Sequence, residues 1–261
     1  MSTEDELLIS TKDHVCLLTM NRPEKRNART RELNRRMMEA IIDADHNPDV
    51  FLIAITGAGD KAFSAGADLK AAIDHTDSGK QYRGPLHQPE RTVMETVIDA
   101  KKPVMAIVNG PAIAGGFELA LSCDLRVVAE NAFFAVPEAK RGRGAHFASV
   151  VLPQMVPMGI AMEWLFTGRR ITVPEADRWG LCNRIAPYEK LMDTAQDLID
   201  EVISSSPISL QKMKMTYRKA FGQGLHSGLR LDVGPDPYTS QDQIEGARAF
   251  LEKRQPVWTG R

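Results

Sequence analysis

The decisive stretch is Lys102-Pro103-Val104-Met105-Ala106-Ile107-Val108-Asn109-Gly110, continued by Pro111-Ala112-Ile113-Ala114-Gly115-Gly116-Phe117-Glu118-Leu119-Ala120-Leu121. A second apolar run, Asp124 to Ala129, follows, and Pro137-Glu138 closes the unit. The pattern predicts a strand, a Gly-rich turn, a helix, a second strand and an acidic loop. Two of its features point to chemistry. A glycine pair stands at the expected helix start, where backbone N–H groups lack partners and the helix dipole favours negative charge. Two glutamates, Glu118 and Glu138, interrupt surroundings that are otherwise apolar.

Outward from this unit, the chain has 261 residues, of which 43% are hydrophobic, enough for one large domain or a domain with an appendage. Its formal net charge of −1 argues against a general nucleic-acid binder. No apolar run approaches the roughly 18 residues of a membrane span. The acidic N-terminus, Met1-Ser2-Thr3-Glu4-Asp5-Glu6, resembles neither a secretory signal nor a transit peptide. Cys16, Cys123 and Cys182 are scattered without metal-binding spacing. These features predict a cytoplasmic protein with no membrane association and no metal.

Val15 to Met20 reads as a strand ending in the turn signal Asn21-Arg22-Pro23. A basic patch follows: Arg22, Lys25, Arg26, Arg29, Arg31, Arg35 and Arg36. It fits either a solvated helix face or a landing site for a polyanionic phosphate group. Leu33, Met37, Ala40, Ile41 and Ala44 mark one face of a helix within Thr30–Asn47. Phe51 to Thr56 reads as a second buried strand. The next residues, Gly57-Ala58-Gly59-Asp60-Lys61-Ala62, formally match a dinucleotide-binding fingerprint. No apolar helix follows them, so a tight turn is the simpler explanation. In Ser64-Ala65-Gly66-Ala67-Asp68 the small residues would let a ligand approach the backbone, with the Ala67 N–H pointing outward. The polar segment from Asp74 to Arg91, with His75 and His87, is long enough to cover a site.

After Glu138 come an apolar segment ending at Pro157, a helix over Ile160–Phe166 stopped by Gly168, and a capping box at Thr172–Glu175. A final short strand is expected over Leu181–Ala186. Beyond Pro187 the pattern is helical: Leu191, Ala195, Leu198, Ile199 and Val202 share one face, and Leu210, Met213, Tyr217 and Phe221 another. Residues 1–186 thus read as an α/β core and 187–261 as a helical region, with no clear internal sequence repeat.

Taken together, these segments resemble the crotonase, or enoyl-CoA hydratase/isomerase, family. The resemblance is carried by Asn21 through Ala28, Phe63 through Lys70, Lys102-Pro103 through Asn109-Gly110, Ala114 through Leu121 with Asp124, Pro137-Glu138, Thr167 through Arg170, and Gly180 through Arg184. They occur in family order over nearly the whole chain. The closing Phe250-Leu251-Glu252-Lys253-Arg254 and Pro256-Val257-Trp258 are similar to the subgroup that contains carnitinyl-CoA dehydratase.

The resemblance implies a superhelix of β-β-α turns, a C-terminal helical region for trimerisation, and a homotrimer or homohexamer. It implies an acyl-CoA thioester substrate and no further cofactor. Ala67 and Gly115 match the family's oxyanion-hole amides, and Glu118 and Glu138 its two catalytic glutamates. Ala28, Ala65, Asp68 and Leu69 lie where the family's coenzyme A contacts fall, and of the basic patch Arg22, Lys25, Arg26 or Arg29 would meet the coenzyme's phosphates. The implied reaction is hydration of an enoyl-CoA or the reverse. Other reactions of the family stay open: isomerisation, thioester hydrolysis and retro-aldol cleavage. So does a non-catalytic acyl-CoA or RNA-binding scaffold. By the residues alone, Glu118 also fits a helix surface and Glu138 an open loop. The chain departs from the family pattern twice. Lys140 through Ser149 lacks the Pro-Gly-rich sequence usual there, which leaves the substrate and hydration itself open and offers His146 as an added polar group. Ala114 stands where a glycine is common.

Overall fold

Val104–Val108 and Leu125–Ala129 lie side by side as parallel strands, Met105 opposite Leu125 and Val108 opposite Val128. Their neighbours explain why both runs are apolar without alternation. Val104, Ala106 and Val108 join one hydrophobic cluster, while Met105 and Ile107 join another on the opposite face of the sheet. A strand buried on both faces needs apolar side chains at every position.

The computed structural model describes residues 6–68 and 91–261. Leu69, His75, His87 and the rest of the expected loop up to residue 90 lie outside the described residues. In chain order the elements are β1 (Leu7–Lys12), β2 (Val15–Met20), α1 (Arg31–His46), β3 (Leu52–Gly57), α2 (Val93–Asp99), β4 (Val104–Val108) and β5 (Ala112–Ile113). Then follow α3 (Gly115–Ser122), β6 (Leu125–Ala129), β7 (Phe133–Ala135), α4 (His146–Met155), α5 (Met158–Thr167), β8 (Ile171–Thr172), α6 (Val173–Arg178) and β9 (Arg184–Ala186). The chain ends in α7 (Leu191–Ile203), α8 (Pro207–Ala220), α9 (Leu225–Gly228) and α10 (Gln241–Glu252).

The larger sheet has the order β1-β2-β3-β4-β6-β9, and the smaller one β5-β7-β8. From β2 to β9 the larger sheet is parallel, with β1 as an antiparallel edge. Successive turns of chain repeat one plan. β4, β5 and α3 form one turn; β6, β7 and α4 form the next, with β5 and β7 paired in parallel. The turn before them starts at β3, passes through Ser64, which bridges to Ala112, and reaches α2. This is the superhelix of β-β-α turns that the resemblance implies.

Helix α1 buries Leu33, Met37, Ala40, Ile41 and Ala44, the expected face, and Thr30 caps it by accepting from the Leu33 N–H at 3.0 Å. Such a cap stabilises a helix by about 1 kcal/mol. Helix α7 lays Leu191, Ala195, Leu198 and Ile199 over the Met105/Ile107 face of the sheet. Helix α8 is tied to the core by Lys214 and Arg218, which both pair with Asp124. Its apolar residues Met213 and Tyr217, and Phe221 just past its end, are exposed on the single chain. Among the described residues, no helix is long and apolar enough to cross a membrane.

Candidate active site

The site begins with Asn27, which is fully buried. Its Nδ2 donates to the carbonyls of Ala58 and Ala62 at 3.0 and 2.8 Å, and its Oδ1 accepts from the Arg22 N–H. These bonds lock the turn after β2 against the turn after β3, so Gly57-Ala58-Gly59 is part of a structural lock and opens no helix. Two extended stretches then run together. Ala65 donates its N–H to the Arg26 carbonyl at 2.9 Å, Arg29 to the Gly66 carbonyl at 2.7 Å, and Asp68 to the Arg29 carbonyl at 3.0 Å.

Because the groups flanking Ala67 face Arg29, the pleat turns the Ala67 N–H the opposite way. Gly66 brings it close to the start of α3. A Cβ placed on Gly66, whose φ is +88°, would lie 2.9 Å from the Ile113 carbonyl oxygen and 3.1 Å from the Gly115 nitrogen. Only glycine permits that approach. Gly116 makes the second close pass, since a Cβ there would meet the Ser64 carbonyl oxygen at 2.1 Å. Gly115 is the first residue of α3, where a helix leaves its N–H groups without internal acceptors. Neither the Ala67 nor the Gly115 N–H has an acceptor among the described residues.

Glu118 lies on the inner side of α3, only 8% exposed, and its Oε1 accepts from the Ala148 N–H in the first turn of α4 at 3.0 Å. Glu138 sits in a short 3-10 turn, Pro137–Arg141, directly after β7. The β5–β7 pairing brings the two together: Ile113 opposes Ala135, and each glutamate lies a few residues further on. Glu138 Oε2 is buried and has no hydrogen-bond partner among the described residues. Burial pushes the Glu138 carboxyl up to about 7; a hydrogen bond from its own backbone N–H opposes the shift, the nearby charge of Glu118 adds to it, and Arg141 opposes it weakly. One carboxyl is thus anchored by a backbone donor, and its neighbour is poised to hold a proton near neutral pH. Such a pair can divide the removal and the delivery of a proton.

The coenzyme candidates flank this centre. Ala28 has its N–H on the Lys25 carbonyl and its carbonyl on Arg22 Nη1. Asp68 is in an ion pair with Arg22 at 3.1 Å. Arg26 and Lys25 are exposed, but the basic patch is not one surface. Arg22 is held between Glu6 and Asp68, and Arg35 pairs with Glu32 and Glu39 along α1. Arg29 is buried, so it does not face a phosphate landing site in solvent. A sequence rich in charge around Arg29 gives no sign that this one points inward. Ala148 was equally hidden, because a backbone donor leaves no mark in residue identity. His146 is exposed at the start of α4. Among the described residues no cluster of His, Cys, Asp or Glu is placed to hold a metal ion.

Comparison with known proteins gives the same picture at three levels. Residues 10–261 match the family model described as enoyl-CoA hydratase/isomerase. A carnitinyl-CoA dehydratase of Salmonella paratyphi A is 39% identical over 264 aligned positions, covering 98% of this chain and 99% of that protein. The crystal structure of an enoyl-CoA hydratase from Mycobacterium tuberculosis H37Rv superposes with a TM-score of 0.88 at 31% identity, over 98% of this chain and 100% of that one. A probable enoyl-CoA hydratase/isomerase from Mycobacterium abscessus gives 0.86 at 35% identity, over 98% and 99%.

Proposed function

The chain belongs to the enoyl-CoA hydratase/isomerase family, and on that premise we propose a mechanism in which it adds water to an enoyl-CoA thioester, or removes it, through the Ala67 and Gly115 amides and the Glu118–Glu138 pair. It is an enzyme of the lyase type, a hydratase or dehydratase acting on coenzyme A thioesters. Attack of water at C3 of a 2-enoyl thioester moves negative charge onto the thioester oxygen. Two fixed N–H donors at that oxygen stabilise the enolate, and losing one costs on the order of 3 kcal/mol. Glu118, held by Ala148, takes a proton from the attacking water. Glu138 delivers its own proton to C2. Water has then been divided into a hydroxyl at C3 and a hydrogen at C2, and the proton taken by Glu118 restores the pair's charge. Dehydration runs the same steps in reverse.

The observation that carries this reading is Glu138: a half-buried carboxyl, shifted to about 7, whose buried Oε2 has no partner among the described residues, beside a second carboxyl that has a fixed donor. A surface carboxylate needs neither feature. The coenzyme would lie along Ala28, Ala65, Asp68 and Leu69, with Lys25 and Arg26 nearest its phosphates; the exposure of the last two supports this placement. We further read the protein as a cytoplasmic homotrimer or homohexamer serving fatty acid metabolism. Three unpaired thiols and the exposed apolar residues of α8 fit that setting. The 187–261 region would supply the subunit contacts, apart from α7, whose apolar face is already spent on the core.

Purified protein mixed with short, branched and aromatic enoyl-CoAs tests the reading. Loss of the conjugated absorbance with a 3-hydroxyacyl-CoA product supports it. Release of free coenzyme A, or a shifted double bond without water addition, replaces it with hydrolysis or isomerisation.

A further inference from the structure

Arg29 touches both halves of the proposed oxyanion hole. Through its backbone it holds the Ala67 side, accepting from the Asp68 N–H and donating to the Gly66 carbonyl. Through its side chain it holds the Gly115 side: Nη2 donates to the Gly115 carbonyl at 2.8 Å. The guanidinium is packed so closely that a Cβ on Gly115 would come within 2.7 Å of Nη2. Nη1 donates to Asn34 Oδ1 at 3.2 Å, and the Met94 sulfur lies about 4 Å away. The residue is 5% exposed, and its Nε has no acceptor among the described residues.

A charged group in that position is costly for the fold, because desolvation is only partly offset by hydrogen bonds. An apolar side chain of similar volume beside Met94 would pack at lower cost. The location suggests what the charge is for. It bonds the first carbonyl of α3 and lies close enough to the Glu118 carboxylate for the two charges to interact. Its positive charge therefore sits within the first turn of α3, where it adds to the positive potential of the helix start.

We propose that Arg29 is a positioning residue of the oxyanion hole, its backbone fixing Ala67 and its guanidinium fixing Gly115, so that one residue sets the separation of the two amides. The positive charge adds to the field that favours an enolate oxygen between them. The proposal rests on the reading of Ala67 and Gly115 as the thioester-oxygen donors.

The test compares Arg29→Met and Arg29→Lys with wild type in two readouts. The first is steady-state hydration. The second is the absorbance of a bound aromatic enoyl-CoA, whose conjugated system absorbs at longer wavelength when its carbonyl is polarised, whether or not turnover occurs. R29M is expected to melt within a few degrees of wild type while kcat falls roughly tenfold to a hundredfold. Its KM should change less than about threefold, and the red shift of the bound chromophore should shrink. R29K keeps the charge but cannot span Gly115 and Asn34 together, so it should fall between. A folded R29M with wild-type kcat and an unchanged shift overturns the proposal; where R29M does not fold, an R29K that matches wild type in both readouts does so. A wild type that shifts the chromophore without hydrating it defeats the hydratase reading alone, and loss of that shift in R29M still supports the role of Arg29. A wild type that binds the thioester with no shift overturns both.

Discussion

Glu118 Oε1 and the Ala148 N–H, 30 positions apart in sequence, are joined at 3.0 Å. The bond makes the carboxyl of α3 depend on the first turn of α4, the segment whose sequence departs from the family pattern. The Pro-Gly-rich loop is absent, yet the chain there still delivers a backbone donor to the catalytic candidate. Glu118→Gln should keep that contact, since an amide oxygen accepts as a carboxylate does. It removes the base that takes the proton from water. The expected outcome is a melting temperature near wild type with hydration kcat reduced by about 10²-fold or more. An E118Q protein that keeps full activity takes Glu118 out of the mechanism.

What the sequence made legible was whatever periodicity and punctuation report. Helix α1 was visible through the spacing of Leu33, Met37, Ala40, Ile41 and Ala44, all of them buried. The β4-to-Glu138 unit was visible through its apolar runs and paired glycines. Antiparallel β1 was missed, because only Leu7 of its residues is buried and its pattern carries no core signal. The smaller sheet escaped notice for a related reason: β5 and β8 are two residues each, too short for any period. In the candidate site, the glutamates stood out as acids among apolar residues. Arg29 did not, because it lies among other basic residues, and inward orientation is a tertiary fact. Glu175 shows the same limit. Its place in a capping box was readable, whereas its carboxylate is bound to Arg169 and Trp164.

Glu138 gives a pH signature in both rate and stability. The carboxyl pair must carry one proton in either direction, on Glu138 before hydration and on Glu118 before dehydration. Both directions therefore draw on the same protonation state, and kcat/KM for both should decline together as pH rises through about 7. Stability follows from the same shift. The folded-state value of about 7 exceeds the ordinary 4.5, so between those values the folded protein holds a proton the unfolded chain has lost. Its contribution is complete below about 4.5 and is lost as pH rises through 7. Glu138→Gln has no such titration. Melting curves of the two proteins from pH 5 to 8 should show wild type falling relative to E138Q. Parallel curves would mean that the carboxyl is solvated.

Gly66 is where the two amide-bearing segments press together. Gly66→Ala puts a Cβ within 2.9 Å of the Ile113 carbonyl and 3.0 Å of the Ala114 Cβ, at a φ of +88° that alanine resists. The turn into α3 must move outward, widening the gap between the Ala67 and Gly115 amides. Hydration kcat should fall by roughly 10- to 100-fold, as expected for a misplaced oxyanion donor. KM should rise less than kcat falls, because most of the coenzyme surface lies elsewhere. Steady-state kinetics on crotonyl-CoA decides it, and equal loss in both parameters points to general disruption.

Lys25 and Arg26 are exposed beside the segment that would receive the coenzyme. If they meet its phosphates, Lys25→Ala and Arg26→Ala should each weaken coenzyme A binding roughly two- to fivefold at low salt. Added salt should erase much of the difference, because exposed charges are screened. Calorimetric titration of coenzyme A at two ionic strengths measures both effects. An affinity that ignores salt and both substitutions would place the phosphates elsewhere.

Ala114 carries backbone strain at the mouth of the site. Its φ of +55° and ψ of −129° suit glycine and crowd a Cβ against the backbone. The residue is held there from both sides: its N–H donates to the Ala135 carbonyl at 2.8 Å, and its carbonyl accepts from the Glu118 N–H at 3.0 Å. Those bonds join β7 to the start of α3, so the same contacts that align Gly115 and Glu118 keep Ala114 in its unfavourable conformation. Relief of such strain is worth on the order of 1–3 kcal/mol, against about 0.5–1 kcal/mol for the greater freedom of glycine in the unfolded chain. Ala114→Gly should therefore stabilise the protein by about 1 kcal/mol and raise its melting temperature by about 2 °C. Hydration kcat should hold, since both backbone bonds survive. A melting temperature that falls instead would show that the Ala114 Cβ contributes more through contact than it costs through strain.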